Sequence, residues 1–200
     1  MKNFGMMFLI LSAISCSSNS KDKHKDIIIA RIDDLTERPG WFKESEDTEL
    51  RGEEIIFWGR STLKNNERLE IGYKIAELNA KSRIANFVSE KVKGISQSAD
   101  EVNTQDQSIF RSIITQKSKV KLSEIRSGKK YWEKVETSDP RGERGLEYRV
   151  FQSVIIKKND LAKLVKEALL EGQGKFSEGF SQKVEQEFYQ MINEETHEIR

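Results

Sequence analysis

Cysteine, proline and histidine are nearly missing from this 200-residue chain, which holds one, two and two of them. A lone Cys16 forms no intrachain disulfide and no cysteine zinc site. His24 and His197 stand near opposite ends in polar sequence, so no imidazole pair is on hand for a catalytic triad or a metal. No run approaches the roughly 20 apolar residues that a membrane-spanning helix needs. Neither sign of charge dominates: 34 Lys and Arg face 33 Asp and Glu, a formal net charge of +1. That balance argues against nucleic acid, whose binding needs a basic face to track phosphates. The G-x-S-x-G of a serine hydrolase is absent. Gly172-Gln173-Gly174 reads as a helix exit rather than a phosphate loop. Glu53-Glu54 and Asp33-Asp34 read as solvated acids rather than the paired carboxylates of a glycosidase. No catalytic residue, metal site or cofactor is expected, and the chain does not read as an enzyme.

What is present begins at the N-terminus. Lys2 supplies a positive start, Phe4 to Leu11 form a short apolar stretch, and Ser12 to Ser15 are mostly small. A basic start, an apolar core of roughly 7–15 residues and a small-residue cut site make a secretory signal. Here the order Ala13-Ile14-Ser15-Cys16 reads as a bacterial lipobox, and Cys16 is the expected lipid-attachment residue. Acylation would leave the mature chain with no thiol, and loss of residues 1–15 with Lys2 would bring its formal charge to zero. Each buried CH₂ of an acyl chain contributes about 0.8 kcal/mol, and two or more chains hold firmly. Ser17 after the cysteine is the residue that favours the outer membrane in bacterial lipoprotein sorting. Residues 16–26 then lack apolar periodicity and read as a lipidated, flexible tether.

Residues 27–172 read as one α+β domain. Ile27 to Ile32 are β-branched and suit a short strand or the first packed residues. Pro39-Gly40-Trp41 makes a turn and places an aromatic ring. Residues 54–61 form a strand apolar on both faces, as in the interior of a covered sheet. Residues 66–93 form the strongest helix. Its stripe is Leu69, Tyr73, Ala76, Ala80, Ile84 and Phe87, Asn65 or Asn66 is placed to cap its start, and Gly94 is placed to stop it. Residues 96–107 are polar and read as a loop, before a shorter helix carrying Ile109, Phe110, Ile113 and Ile114. From Val120 the period shifts toward two. The pattern predicts a three-strand antiparallel meander over 120–126, 131–137 and 146–157, turned at Ser127-Gly128 and at Asp139-Pro140-Arg141-Gly142. Asn159 is placed to cap a helix that carries Leu161, Leu164, Val165, Ala168 and Leu169 and ends at Gly172. A C-terminal amphipathic segment, 173–200, lines up Phe176, Phe180, Val184, Phe188 and Met191, either to pack on the domain or to serve a partner. The expected fold is therefore a small, mainly antiparallel sheet covered by a long helix, with further helices at the C-terminus.

Five features carry a resemblance. They are the lipobox Cys16, Pro39-Gly40-Trp41, the strand Phe57-Trp58-Gly59-Arg60-Ser61, the helix segment from Ala76 to Ala85, and the strand end Val154 to Lys157 followed by Asp160-Leu161. Over roughly residues 39–170 the chain resembles the LPP-twenty family of bacterial envelope lipoproteins, which includes flagellum-associated members. The commoner family pattern has Arg soon after the second Ala of the helix; here Lys81 stands beside Ala80 and Arg83 lies two further on. The resemblance implies a small α/β domain with a structural or assembly role at the outer membrane, and no catalytic residues. The expected partners are the membrane, through acyl chains, and further copies or other envelope proteins. The alternative is a periplasmic-side small-ligand or glycan binder using Trp41, Trp58 and Trp132.

Overall fold

The structure, a computed structural model, describes residues 26–42, 47–97, 104–120, 125–138, 143–177 and 179–194. Cys16, His24, His197 and the turn expected at Asp139-Pro140-Arg141-Gly142 lie outside the described residues. The elements run β1 (Ile27–Arg31), a 3-10 turn (Ile32–Asp34), β2 (Thr48–Arg51), β3 (Glu54–Lys64), α1 (Leu69–Gln97), α2 (Thr104–Val120), β4 (Arg126–Ser138), β5 (Arg144–Lys157), α3 (Lys158–Glu171) and α4 (Phe180–Glu194). The strands form one antiparallel sheet in the order β1-β4-β5-β3-β2. This is an α+β domain with a long helix against the sheet and helices at its C-terminal end, as the patterning predicts.

Alternation along β3 creates two buried faces. Ile55 and Phe57 point to the helical side, where they meet Val154 and Ile156 of β5 and the buried face of α1, Ala80, Ile84 and Val88. Gly59 lies on the same side, directly under α1. A Cβ there would run into the Ala76 carbonyl and stand 2.6 Å from the Ala80 nitrogen. Only a glycine opposite two alanines lets the helix approach this closely. The contact is pinned on both sides: the Ser61 hydroxyl donates to the Gly72 carbonyl at 2.8 Å, and the Asn79 amide donates to the Arg60 carbonyl at 2.8 Å.

The helical side is completed by α2, α3 and α4. Phe110, Ile113 and Ile114 of α2, Leu161, Leu164 and Val165 of α3, and Val184, Phe188 and Ile192 of α4 join one buried cluster. The C-terminal segment thus packs its apolar stripe into the core. Its entry is fixed by Asp106, a buried carboxylate of α2 that accepts from both the backbone N–H and the hydroxyl of Ser177.

Several boundaries differ from the sequence expectation. α1 starts at Leu69, because Asn65 and Asn66 belong to a turn closed by Lys64 N–H donating to the Glu67 carboxylate at 2.7 Å. It runs through Gly94 to Gln97, since Val92, Ile95 and Ser96 keep its buried stripe going. The polar stretch 104–107 is the first turn of α2, and Val120 is helical rather than the start of a strand. Of the first strand expected over 120–126, residues 121–124 lie outside the described residues and Arg126 already belongs to β4; the other two expected strands fall in β4 and β5, paired antiparallel. Ser127-Gly128 is no corner: it is a bulge inside β4, where the pairing with β5 skips between Ser127 and Lys130. The Ser153 side chain fills the gap, accepting from Lys129 N–H at 2.7 Å. Finally, α3 follows β5 with no loop. Its first residue is Lys158, whose N–H donates to the Glu53 carbonyl at 2.9 Å, so Asn159 is not the cap. The short strand β2 carries no sequence expectation.

Candidate functional site

The second face of the sheet brings polar and aromatic side chains together. β3 contributes Ile56 and Trp58, β4 contributes Tyr131, Glu133 and Val135, and β5 contributes Arg149, Phe151 and Ser153, every second residue of each strand. Among the described residues no helix covers this side. Residues 35–42 lie across it instead, as a strap. A turn closed by Phe42 N–H donating to the Pro39 carbonyl at 2.8 Å drops Trp41 and Phe42 onto the sheet. Trp41 stacks on Trp58 with ring centres 5.5 Å apart and planes 9° from parallel. Phe42 wedges between Tyr131 and Phe151, at 4.7 Å from each. Such aromatic pairs are worth about 0.5–1.5 kcal/mol beyond the area they bury.

A charged clamp holds the same strap. Arg38 donates to both carboxylate oxygens of Glu133, from Nε at 3.1 Å and Nη2 at 2.8 Å, and the Tyr131 hydroxyl adds a third donor at 3.1 Å. The Glu133 side chain is 0% exposed, whereas Arg38 keeps about a third of its surface in water. A buried carboxylate is costly unless paired and hydrogen-bonded, and this one is both. With three donors on two oxygens it is a structural anion. Burial, and next the Glu133 charge, push the Tyr131 hydroxyl above the ordinary phenol range, so it stays a donor.

The basic residues of the Gly-Arg-Ser strand and the Ala-rich helix are tied up in the same way. Asp47, just before β2, receives Arg60 from β3 at 3.1 Å and Arg83 from α1. Lys81 is buried and pairs with Glu77 one turn back on α1. Arg83 thus ties α1 to the residue before β2, whereas Lys81 is paired within α1 itself.

The three tryptophans are not brought to one place. Trp41 and Trp58 cover one another, with the Lys129 ammonium 4.7 Å from the Trp41 ring centre. Trp132 projects to the opposite side of the sheet and packs edge-on against Tyr148 at 5.5 Å. The acid pairs also separate. Asp33 and Asp34 are exposed in the 3-10 turn with φ near +53°, Glu53 is exposed, and Glu54 pairs with Arg126. Among the described residues no group of three or more His, Cys, Asp or Glu side chains stands ready for a metal ion.

Three surface grooves lie between helices, and no tryptophan lines them. One of about 470 Å³ runs between α3 and α4, bridged by Lys166 and Glu185 at 2.7 Å and lined by Lys163, Phe188 and Tyr189. Others open between α1 and α4 and between α1 and α2. Sequence reasoning missed the Arg38–Glu133–Tyr131 clamp. Its one available signal was an acid at an alternating position between Tyr131 and Val135, where an apolar residue is expected.

The chain matches no known protein family, no curated protein and no solved structure.

Proposed function

We propose that this chain is a lipoprotein of the bacterial cell envelope, anchored to the outer membrane through acyl chains on Cys16, with a structural or assembly role of the kind the LPP-twenty resemblance implies. The observation that carries this reading is the order Lys2, apolar stretch, Ala13-Ile14-Ser15-Cys16 and polar tether, which places a single thiol where a lipidated N-terminus needs it. Among the described residues no helix is long and apolar enough to cross a membrane, so acyl chains are the anchor this reading relies on.

The folded body supports a scaffold over a catalyst or a glycan binder. Among the described residues the buried carboxylates Glu133 and Asp106 are engaged in holding elements together. Its two neighbouring tryptophans stack on each other rather than offering a platform for a sugar ring.

The test is a mass spectrum of the mature N-terminus together with cell fractionation. The expected result is a chain beginning at an acylated Cys16, and at least a tenfold shift to the soluble fraction on Cys16→Ser. An unmodified Cys16, or a Cys16→Ser chain that stays with the membrane, would overturn the anchor. Imaging of the envelope and a motility assay in a deletion strain then separate a general envelope role from a flagellar one.

A further inference from the structure

The helical layer covers only part of its side of the sheet. α1 packs on β3 and β5, while β4 and β1 extend beyond it. The border runs at Val150 of β5, which lies close beneath Gly72 of α1. Trp132 stands opposite Val150, on the open side of that border. Opposed residues of antiparallel strands project to the same face, so the register gives the rest of this surface. Ala30, Lys134 and Tyr148 form one row across β1, β4 and β5. Ile27, Glu136 and Leu146 form the next.

These rows mix apolar, amphipathic and cationic groups. Ile27 is 57% and Leu146 39% exposed, and the half-buried Trp132 and Tyr148 pack edge-on between them and α1. Rings with an apolar body and a polar tip favour the headgroup level of a bilayer. The Lys134 ammonium stands 5.4 Å from the Tyr148 ring centre, and the Lys130 ammonium 5.1 Å from that of Tyr73 on α1. Among the described residues neither ammonium is paired with a carboxylate. Glu136, the acid of these rows, is already engaged by Arg144 at 3.4 Å. Asp33, near Tyr73, stands at the margin. Two cations held over rings, with no carboxylate of their own, suit phosphate groups in front of them.

We propose that this open face of β1, β4 and β5 rests on the phospholipid surface that carries the anchor, with Trp132 and Tyr148 at headgroup level and Lys130 and Lys134 on lipid phosphates. The inference rests on the anchored reading above. Ten peptide steps join Cys16 to Asp26, and a chain spans at most about 3.5 Å per residue. The start of β1 therefore stays within about 35 Å of an acylated Cys16. Asp26 is fastened to the sheet by Arg149 at 2.5 Å, and the next residue, Ile27, belongs to the face itself. The tether thus enters the body from the side in question. For a body already confined near a bilayer, a weak second contact suffices, because its effective concentration is high.

The experiment takes the acylated chain from cell membranes into vesicles of phosphatidylethanolamine and phosphatidylglycerol, with and without bromine on the lipid tails. Bromine quenches an indole only at short range. Trp41 and Trp58 lie on the strap side, so Trp132 is the reporter. Quenching should be at least threefold stronger in the parent than in Trp132→Phe. Exchanging phosphatidylglycerol for phosphatidylcholine should halve it, and so should the pair Lys130→Glu and Lys134→Glu, with protease resistance of the body unchanged. Salt should act in the same direction by screening the phosphates. The lysine pair is exposed or half-buried, so it tests the face even where a Trp132 variant is unstable.

An acylated, vesicle-bound chain with Trp132 unquenched overturns the proposal and leaves the anchor standing. Equal quenching in Trp132→Phe overturns it too, since another face then meets the lipid. So does disulfide linking of two copies through Leu146→Cys in place of quenching, which gives the face to a second copy. If Cys16 proves unmodified, the anchor fails, and the unanchored chain is mixed with the same vesicles. Quenching of Trp132 there upholds the face alone; its absence overturns both.

Discussion

Gly59 shows how one missing methyl group sets a whole interface. Because α1 lies against the sheet at Ala76 and Ala80, the side chain of alanine has nowhere to go at position 59. Gly59→Ala should cost about 3 kcal/mol, at the upper end for forcing extra volume into a packed core, and urea denaturation would read it directly. Tyr73 makes a different kind of statement. Burial first, and the nearby Asp33 charge second, push its hydroxyl up to about 12. A phenol whose folded pKa lies above its unfolded value binds its proton more tightly when folded. Its contribution to stability is therefore complete below pH 10 and lost as the pH rises from about 10 to about 12. The thermal midpoint should fall across that window, and Tyr73→Phe should flatten the fall. Of the residues singled out in the sequence, Gly59, Arg60, Ser61, Ala76 and Ala80 prove to form one helix-to-sheet contact. The sequence shows the two small residues in the helix stripe and the glycine in the strand; that they meet is a fact of the fold. The Arg38–Glu133 clamp was not legible, because its partners are 95 residues apart and nothing local marks them.

At the scale of elements, glycine has a second lesson. Gly94 reads as a helix stop, yet α1 passes through it with nothing within 4 Å of where a Cβ would sit. Exposed glycine inside a helix is unfavourable relative to alanine by about 1 kcal/mol. Gly94→Ala should therefore stabilise the chain by about that amount, the opposite sign to Gly59→Ala, in the same denaturation experiment. The long stripes of β3, α1 and α3 were readable because apolar residues recur at the right spacing. α2 was readable only in its middle, since its end buries Ser118, whose hydroxyl bonds back to the Thr115 carbonyl at 3.1 Å. A polar residue in a core position hides the helical period. β4 was split in two for a related reason: Ser127-Gly128 has turn chemistry, but the Ser153 hydroxyl satisfies the backbone there and lets the strand continue. β2 is too short and too charged to show alternation.

For the molecule as a whole, the C-terminal helix belongs to the body. Phe188 is fully buried among residues of the common core, beneath the groove between α3 and α4. Phe188→Ala should lower stability by about 3–5 kcal/mol. Were α4 a detached docking arm, the same change would leave the unfolding midpoint where it was. The fold class, a sheet with a long helix and trailing helices, followed from patterning alone. The cover on the second sheet face did not, because it is made by an irregular strap rather than by a helix. Only Pro39-Gly40-Trp41 hinted at it.

That strap has an optical consequence. Trp41 rides on it, while Trp58 is fixed in β3 and hidden beneath. Lifting residues 38–42 would separate the two indoles and admit water to both, moving their emission toward longer wavelength. The chain thus carries an unlabelled fluorescent gauge of whether its second face is closed, and replacing Trp132, on the far side of the sheet, would leave that gauge with less background.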